Sequence, residues 1–143
     1  MSINVKFTQL KDDMVVPTAA TSQSAAYDLY STEDFILEPN QTKLVPLGFA
    51  THIPLGWCAL ICPRSGLALK KGITIPNSPG IIDSDYRNEW GVILHNISNI
   101  AVEFSRGDRI AQALFQEISV ATFQLVKNLT VTKRQGGFGS TGK

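Results

Sequence analysis

Residues 53–72 read IPLGWCALICPRSGLALKKG and contain a turn, an apolar run and a short helix signal in direct succession. The turn residues 53–56 precede Trp57–Cys62, a run with the length and apolar character of a strand. After Pro63, Ser65 can cap a helix of good helix formers, and Gly72 can end it. This stretch predicts a β-strand followed by one short helix.

The same plan of short strands separated by turns continues on both sides. Strand-like runs lie at 3–7, 26–30, 35–37, 44–47, 90–95, 102–104 and 110–117. Turn signals built from Gly, Pro, Asn and Asp separate them, for example at 38–40, 77–80 and 105–108. Strands at this spacing favour a sandwich, jelly roll or barrel, so residues 1–143 are predicted to form a single all-β domain.

Composition and charge exclude several classes of protein. Hydrophobic residues make up 43% of the 143 residues and charged residues 17%, which argues for an ordered globular chain. The formal net charge is only +1, so no overall field would recruit duplex DNA or an acidic membrane. The first residues lack a signal-peptide layout, and no apolar run approaches the roughly 20 residues that span a bilayer. We therefore expect no nucleic-acid partner, no membrane, and an intracellular location, cytoplasmic or nuclear, without secretion.

The cysteines and histidines offer no convincing metal site. Cys58 and Cys62 are the only cysteines, and their spacing places them on one face of a strand, where they are expected to point into the core. A metal there would need further ligands, and only His52 and His95 are present as histidines. We expect reduced thiols and histidines without a functional role.

The C-terminal tail differs from the rest of the chain in composition. Residues 135–143 are rich in Gly, Ser and Thr around a lone Phe138, so they cannot pack as a core strand. Gly137 to Lys143 fits most of a P-loop, but no preceding strand, no following Ser or Thr and no helix complete it. Successive glycine amides can still hold phosphate oxygens. We predict that residues 133–143 form a mobile arm, disordered unless it orders on something else.

Five segments combine charge, glycine and turn residues beyond what folding needs: 25–30, 63–68, 77–87, 107–112 and 136–142. Each has an ordinary structural explanation when taken alone. Asp28, inside an otherwise apolar strand, can form a structural ion pair with Arg64 or Arg109. The others can be a helix start, a hairpin and a tight turn. The residues by themselves indicate an all-β domain with an anion site.

Together and in this order, the segments resemble those of the trimeric dUTPase family, over about residues 25–142. The near letter-for-letter matches are Pro63-Arg-Ser-Gly-Leu-Ala, Ile82-Asp-Ser-Asp-Tyr-Arg, Gly107-Asp-Arg-Ile-Ala-Gln and Gly137-Phe-Gly-Ser-Thr-Gly. The resemblance implies a distorted jelly-roll β-barrel with one short helix and a flexible C-terminal arm. It also implies hydrolysis of dUTP to dUMP and pyrophosphate by in-line attack of water on the α-phosphate, in a homotrimer with shared active sites. Such an activity keeps uracil out of DNA and supplies dUMP for dTMP synthesis.

The resemblance also assigns roles to individual residues. Asp83 would hold and polarise the attacking water, and Tyr86 would lie against the deoxyribose, where a 2′-hydroxyl would clash. Mg²⁺ bound to the phosphates would reach Asp28 through water. The phosphates would contact Arg64, Ser65 and Gly66, with Gln112 in support. The uracil would bind Asn77 and the backbone of Gly80, Ile81 and Ile82. From a third chain, the arm would lay Phe138 over the uracil and bring Gly139 and Ser140 to the γ-phosphate.

The chain departs from the family pattern at three places. Ala26 and Asn88 stand where the family has Gly, so the backbone there must tolerate a Cβ. The family arm begins Arg-Gly-x-Gly-Gly-Phe, whereas this chain has Lys133-Arg-Gln-Gly-Gly-Phe. Either Arg134 contacts the γ-phosphate through a shorter arm, or Lys133 does. We favour Arg134, because its fork can bridge two phosphate oxygens.

Two alternatives stay open at this point. The dCTP deaminases share the family's core, but deamination needs a Glu beside the pyrimidine. The hairpin segment 77–87 contains no Glu, and Glu89 follows it. The second alternative is a dUTPase-like module that only binds another protein. The intact set of Asp28, Arg64, Asp83, Gln112 and Phe138 argues against lost chemistry.

Overall fold

Short strands with alternating burial dominate the fold. The computed structural model describes residues 2–140 and 142. The described residues do not include Met1, Thr141 or Lys143. All three belong to the predicted domain, and the last two also belong to the P-loop-like match. The described residues form eleven strands and one helix: β1 (Lys6–Gln9), β2 (Tyr27–Tyr30), β3 (Phe35–Leu37), β4 (Thr42–Pro46), β5 (Phe49–His52), β6 (Trp57–Cys62), α1 (Ser65–Lys71), β7 (Ile73–Thr74), β8 (Gly80–Ile82), β9 (Gly91–Asn96), β10 (Val102–Phe104) and β11 (Arg109–Glu117). The prediction of an all-β fold with one short helix is confirmed.

The strands pair into four small antiparallel sheets. The largest has the order β2-β11-β6-β8, and a second has the order β4-β9-β7. Two further pairs are β1 with β5 and β10 with β3. Neighbours in these sheets are far apart in sequence, which is typical of jelly-roll folds and agrees with the predicted architecture.

The core lies between the sheets and is built by residues at every second strand position. In β9, for example, Val92 and Leu94 are buried while their neighbours are half-buried. Trp90 is buried beside Phe49, and its indole N–H donates to the Thr51 hydroxyl at 2.9 Å. This bond satisfies a polar group that would be costly to bury unpaired.

Three strands were not predicted from the sequence. β7 has only two residues, β8 lies inside the 77–87 segment, and β5 has the sequence FATH, which is too short for an alternation to be recognised. Tertiary pairing specifies these strands, because their backbones bond to partners distant in the chain.

The helix begins at Ser65, one residue earlier than a cap at Ser65 would imply. Arg64, in extended conformation, is the capping residue, and its carbonyl accepts the first helical bond from Ala68 N–H at 3.0 Å. Ser65 is therefore the first helical residue, and the prediction that it caps the helix was wrong. Gly72 ends the helix as predicted, in the left-handed conformation with φ of 64°, where its N–H bonds carbonyls of the last turn.

The two cysteines share one face of β6, but it is the face opposite the main core. Ala59 and Ile61 belong to the hydrophobic cluster, whereas Cys58 and Cys62 alternate with them. Cys58 is buried and Cys62 is half-buried, and both thiols are free. Cys58 is thus buried as predicted, although outside the main cluster, whereas Cys62 does not point into the core, because the strand presents Ala and Ile to it.

The chain after β11 leaves the body of the domain. Residues 118–140 and 142 form no strand and are exposed. Apolar side chains in this C-terminal segment are almost fully accessible, with exposed fractions of 92% for Val120, 100% for Phe123 and 99% for Leu125. The segment thus begins at Ile118, well before the arm predicted from residue 133. No helix in the described part of the chain is long and apolar enough to cross a membrane.

Candidate active site

Strand β11 brings three of the five sequence segments together. Its residue Gln112 lies opposite Asp28 of β2 on one side and opposite Cys62 of β6 on the other. The chain then turns at Pro63 and enters the helix, so Arg64 lies next to the row formed by Asp28, Gln112 and Cys62. A carboxylate, an amide and a guanidinium therefore lie side by side at the end of these strands that adjoins the helix.

Asp28 lies between two arginines rather than beside one. The Arg64 Nε is 3.3 Å from one of its carboxylate oxygens, and the Arg109 Nη1 is 3.5 Å from the other. Arg64 Nη1 also donates to the Arg109 carbonyl at 3.2 Å. The arginine side chains are partly exposed, so these contacts add little to stability. Their effect is to hold two positive groups in a defined geometry around one carboxylate.

Gln112 orients the start of the helix. Its Nε2 donates to the Pro63 carbonyl at 2.9 Å, which ties β11 to the residue before Arg64. Ser65 and Gly66 follow at the exposed start of the helix. A Cβ built on Gly66 would meet no described atom within 4 Å, so there is open space beside this backbone. The supporting position assigned to Gln112 agrees with this geometry.

The 77–87 segment, called the hairpin below, contributes edge strand β8 of the same sheet and the turn that follows it. β8 pairs only with β6 among the described strands, and Ile81 is exposed on it. Gly80 is buried, and a Cβ on it would lie 3.3 Å from the Asn77 side-chain nitrogen, so glycine lets Asn77 lie against the backbone. Tyr86 N–H donates to the Asp83 carbonyl at 3.2 Å and closes the turn.

Arg87 and Glu89 form hydrogen bonds that fix the hairpin in place. The sequence motifs assigned this structural role to neither residue. Arg87 Nη1 donates to the carbonyls of Ser84 at 2.7 Å and of Tyr86 and Thr51 at 3.3 Å. Glu89 accepts the Gly48 N–H at 2.9 Å, which commits its carboxylate to the fold and not to a pyrimidine. No local pattern could have shown the bonds to Thr51 and Gly48, because these two residues lie far away in the sequence.

Asp83 lies just beyond the end of β8, next to Cys58. Ile82 is the cross-strand partner of Ala59, which places Asp83 beside the start of β6. Burial, and then the negative charge of Asp83, raise the pKa of the Cys58 thiol above its ordinary value. The Asp83 side chain itself is exposed, so its carboxylate is accessible to water.

One chain does not bring all five segments together. Asp28 lies on edge strand β2 and Asp83 just beyond the opposite edge strand β8, separated by three strand spacings and by the four residue steps from Cys62 to Cys58. These steps correspond to a separation of about 20 Å. Asp28 and Asp83 of one chain therefore lie at opposite corners of the four-stranded sheet.

The arm residues are separate from both edges. Phe138 is fully exposed, with φ of 49°, so it rests on no other described residue. Gly136 and Gly139 have φ of 78° and 86°, values that glycine adopts without strain, and Ser140 N–H donates to the Gly137 carbonyl at 3.1 Å. Lys133 and Arg134 are also exposed. Among the described residues of the arm, the side chains of Phe138, Lys133 and Arg134 are thus exposed, while the Ser140 amide is held in a tight turn.

The side chains of the described residues do not by themselves form a cluster that could hold a metal ion. Within residues 2–140 and 142, no group of three or more His, Cys, Asp or Glu side chains is placed to hold an ion. Asp28 is a single carboxylate, and its contacts to the arginines are longer than the roughly 2.7–2.9 Å of tight charge-assisted bonds. It can therefore still bond to water, which fits an outer contact to a magnesium ion held mainly by other ligands.

Comparisons with known proteins identify relatives over nearly the whole chain. The dUTPase family model matches residues 12–142. The deoxyuridine 5'-triphosphate nucleotidohydrolase of Nautilia profundicola is 45% identical over 142 residues, covering 99% of this chain and 100% of that protein. The protein of the same name from Zymomonas mobilis is 48% identical over 127 residues, covering 88% of this chain and 87% of that protein.

Solved structures share the fold. A mutant dUTPase of Staphylococcus bacteriophage 80alpha, solved with dUpNHpp, superposes with a TM-score of 0.90 at 24% identity, covering 97% of this chain and 98% of that chain. The dUTPase of phage phi11 of S. aureus, whose structure describes the coordination of a structural Mg(II) ion, gives a TM-score of 0.80 at 22% identity, covering 87% and 97%.

Proposed function

The chain belongs to the dUTPase family and hydrolyses dUTP to dUMP and pyrophosphate, and we propose that it does so by in-line attack of water on the α-phosphate. The observation that carries the activity is the full-length similarity to proteins named for it, at 45% identity over 99% of the chain. The geometry around Asp28, Arg64 and Gln112 supports the phosphate-binding part of this proposal.

In the proposed reaction, Asp83 orients the attacking water. The water oxygen forms a bond to the α-phosphorus, and the bond from that phosphorus to the bridging oxygen breaks. Pyrophosphate leaves with the electron pair of the broken bond, and a proton of the water passes to solvent by way of Asp83. The exposed carboxylate at the end of β8 supports this role, because it is open to water and held by a short hairpin. An aspartate is a weak base at neutral pH, so positioning contributes much of the effect.

Arg64, Ser65 and Gly66 bind the phosphates in this proposal. The extended Arg64 precedes the first helical turn, whose amides lack partners within the helix, and the space beside Gly66 is open. Gln112 supports them from β11 through Pro63. A guanidinium and backbone amides together suit the oxygens of a phosphate chain.

Mg²⁺ is the proposed cofactor, bound chiefly by the triphosphate. Magnesium keeps several waters and takes few protein carboxylates, which matches a single Asp28 that contacts it through water. When bound, it would neutralise charge on the phosphates and on the leaving group. The structural Mg(II) ion in the phi11 enzyme shows that a protein with this fold can hold the metal.

The hairpin binds uracil and deoxyribose. β8 is an edge strand, so those N–H and C=O groups of Gly80–Ile82 that point away from β6 have no partner among the described strands. They can pair with O4 and N3–H of uracil, and Asn77 lies beside Gly80 to extend the pattern. The amine of cytosine would leave these groups badly paired. The Tyr86 hydroxyl donates to the Glu89 carbonyl at 3.1 Å, which fixes the ring that would contact the sugar.

A homotrimer with shared sites accounts for the separation of the segments. Asp28 and Asp83 of one chain are too distant to act on one triphosphate, so the two must come from different copies. The C-terminal segment offers the connection, because its exposed Val120, Phe123 and Leu125 would each gain roughly 1.5–3 kcal/mol on burial against a neighbour. The arm of a third copy, proposed to comprise residues 133–143, would then place Phe138 over the uracil and Gly139 and Ser140 at the γ-phosphate.

A pair of substitutions tests which basic residue of the arm contacts the γ-phosphate. Arg134→Ala is expected to lower kcat/KM for dUTP by about tenfold or more, because a guanidinium fork can bridge two γ-phosphate oxygens. Lys133→Ala is the matched control, with the same loss of charge one residue away, and should change kcat/KM by less than about twofold. Binding of dUMP, which has no γ-phosphate, should be unaffected in both. The reverse order would assign the contact to Lys133.

A nucleotide panel tests the activity itself. Each common nucleoside triphosphate is incubated with the protein, with and without Mg²⁺, and pyrophosphate and ammonia are both measured. We expect pyrophosphate from dUTP only, dependent on Mg²⁺, and no ammonia. Ammonia from dCTP would instead support a deaminase, and no product from any nucleotide would support a binding module.

A further inference from the structure

A groove beside helix α1 adjoins the proposed phosphate site. It has a volume of about 210 Å³ and is lined by Arg64, Leu67, Lys71, Phe104, Asp108 and Arg109. Arg64 and Arg109 are the two residues that bracket Asp28. The groove therefore continues from the phosphate-binding residues along the helix, and Lys71 lies at its far end.

Helical spacing places the lining residues on one face. Arg64, Leu67 and Lys71 are separated by three and seven positions, which puts them on the same side of the helix. Seven residues of rise separate Arg64 from Lys71 by about 10 Å along the axis. The Lys71 ammonium is 6.0 Å from the centre of the Phe104 ring, and Phe104 lines the groove. The ammonium is thus directed over the groove rather than away from it.

The charges around the groove leave one positive charge in excess, because three cations face two carboxylates, Asp108 in the lining and Asp28 between the two arginines. The Asp108 Oδ2 already accepts the Ser105 N–H at 2.9 Å. Arg64 and Arg109 share Asp28, and Lys71 takes part in no ion pair with another described residue. An anion would be favoured here, and the phosphate chain is the only charged part of dUTP. The phosphates released by cleavage at the α-phosphorus are the β and γ phosphates.

We propose that this groove holds the leaving pyrophosphate and that Lys71 is a further binding residue for it. The proposal rests on the proposed function and names a residue to which the sequence motifs assign no role. Lys71 supplies a positive charge beyond Arg64, where negative charge develops on the leaving group. A second role for Lys71, favourable interaction with the negative end of the helix dipole, is shared by Lys70. Lys70 lies on a different side of the helix and does not line the groove.

The two adjacent lysines provide a matched experiment in the full-length protein. Lys71→Gln and Lys70→Gln remove the same charge from the same helical turn. Binding of inorganic pyrophosphate is measured by calorimetry with Mg²⁺ present, and product inhibition of dUTP turnover by pyrophosphate is measured alongside it. Lys71→Gln should weaken both by about five- to tenfold, and Lys70→Gln by less than about twofold. Binding of dUMP should be equal in both variants, and Lys71→Arg should restore most of the pyrophosphate affinity.

Three outcomes would overturn the proposal. Unchanged pyrophosphate binding in Lys71→Gln would remove Lys71 from the site. Equal weakening in both variants would indicate a general charge effect, and equal weakening of dUMP and pyrophosphate binding by Lys71→Gln would indicate a distorted site. The calorimetry needs no turnover, so it reports on the groove even if the nucleotide panel contradicts the dUTPase activity.

Discussion

Replacing Asp83 by asparagine is expected to lower dUTP turnover by at least about a hundredfold while leaving binding of a non-hydrolysable dUTP analogue nearly unchanged. Asn has the same shape as Asp but lacks the negative charge that would polarise the water and take up its proton. The Asp83 side chain is exposed at the end of β8, so the substitution should cost little stability. Steady-state turnover and equilibrium binding of the analogue provide the two readouts.

Asp85 supplies the control for this prediction. It lies in the same hairpin, two residues along, and is also exposed. Asp85→Asn removes the same charge and should retain most of the turnover, because no step of the proposed reaction uses it. If Asp83→Asn kept as much as about a tenth of wild-type turnover, the water-orienting role would be wrong.

Removal of residues 136–143 is expected to abolish turnover nearly completely, and chains carrying Asp83→Asn should restore part of it when the two are refolded together. Each chain lacks a different component of the site, since one has no arm and the other has no carboxylate at position 83. The separation of about 20 Å between Asp28 and Asp83, together with the exposed arm, is the basis for the proposal that different copies contribute different components. A mixed trimer can therefore assemble one intact site from defective chains.

Sedimentation equilibrium and a double variant make this experiment decisive. The wild-type chain and both variants should sediment as trimers, since the deletion leaves residues 118–135 in place. A chain that carries both changes should restore nothing to Asp83→Asn chains, because their mixture has no carboxylate at position 83. A fully active monomer would contradict shared sites, as would demonstrated mixed trimers without activity.

The C-terminal segment contains a local strand pattern from which no strand was predicted. Leu129 and Val131 alternate with Thr130 and Thr132, which is a strand pattern, yet the segment pairs with no strand among the described residues. The prediction placed the boundary of the arm at residue 133 from the composition of residues 135–143 and the resemblance to the family arm, and that boundary stays a prediction. Exposure of Val120 and Phe123 was visible only in the structure, because it depends on what the rest of the chain leaves uncovered.

The sequence by itself determined the strand-and-turn plan, the helix end at Gly72 and the segments that carry the chemistry. These depend on neighbouring residues, through backbone preferences, turn chemistry and side-chain alternation. Only the tertiary structure decided that Asp28 lies between Arg64 and Arg109, that Arg87 holds the hairpin and that Lys71 faces a cationic groove. Each of these contacts joins elements distant in the chain, and which strands pair is set by the packing of the whole core rather than by any local pattern.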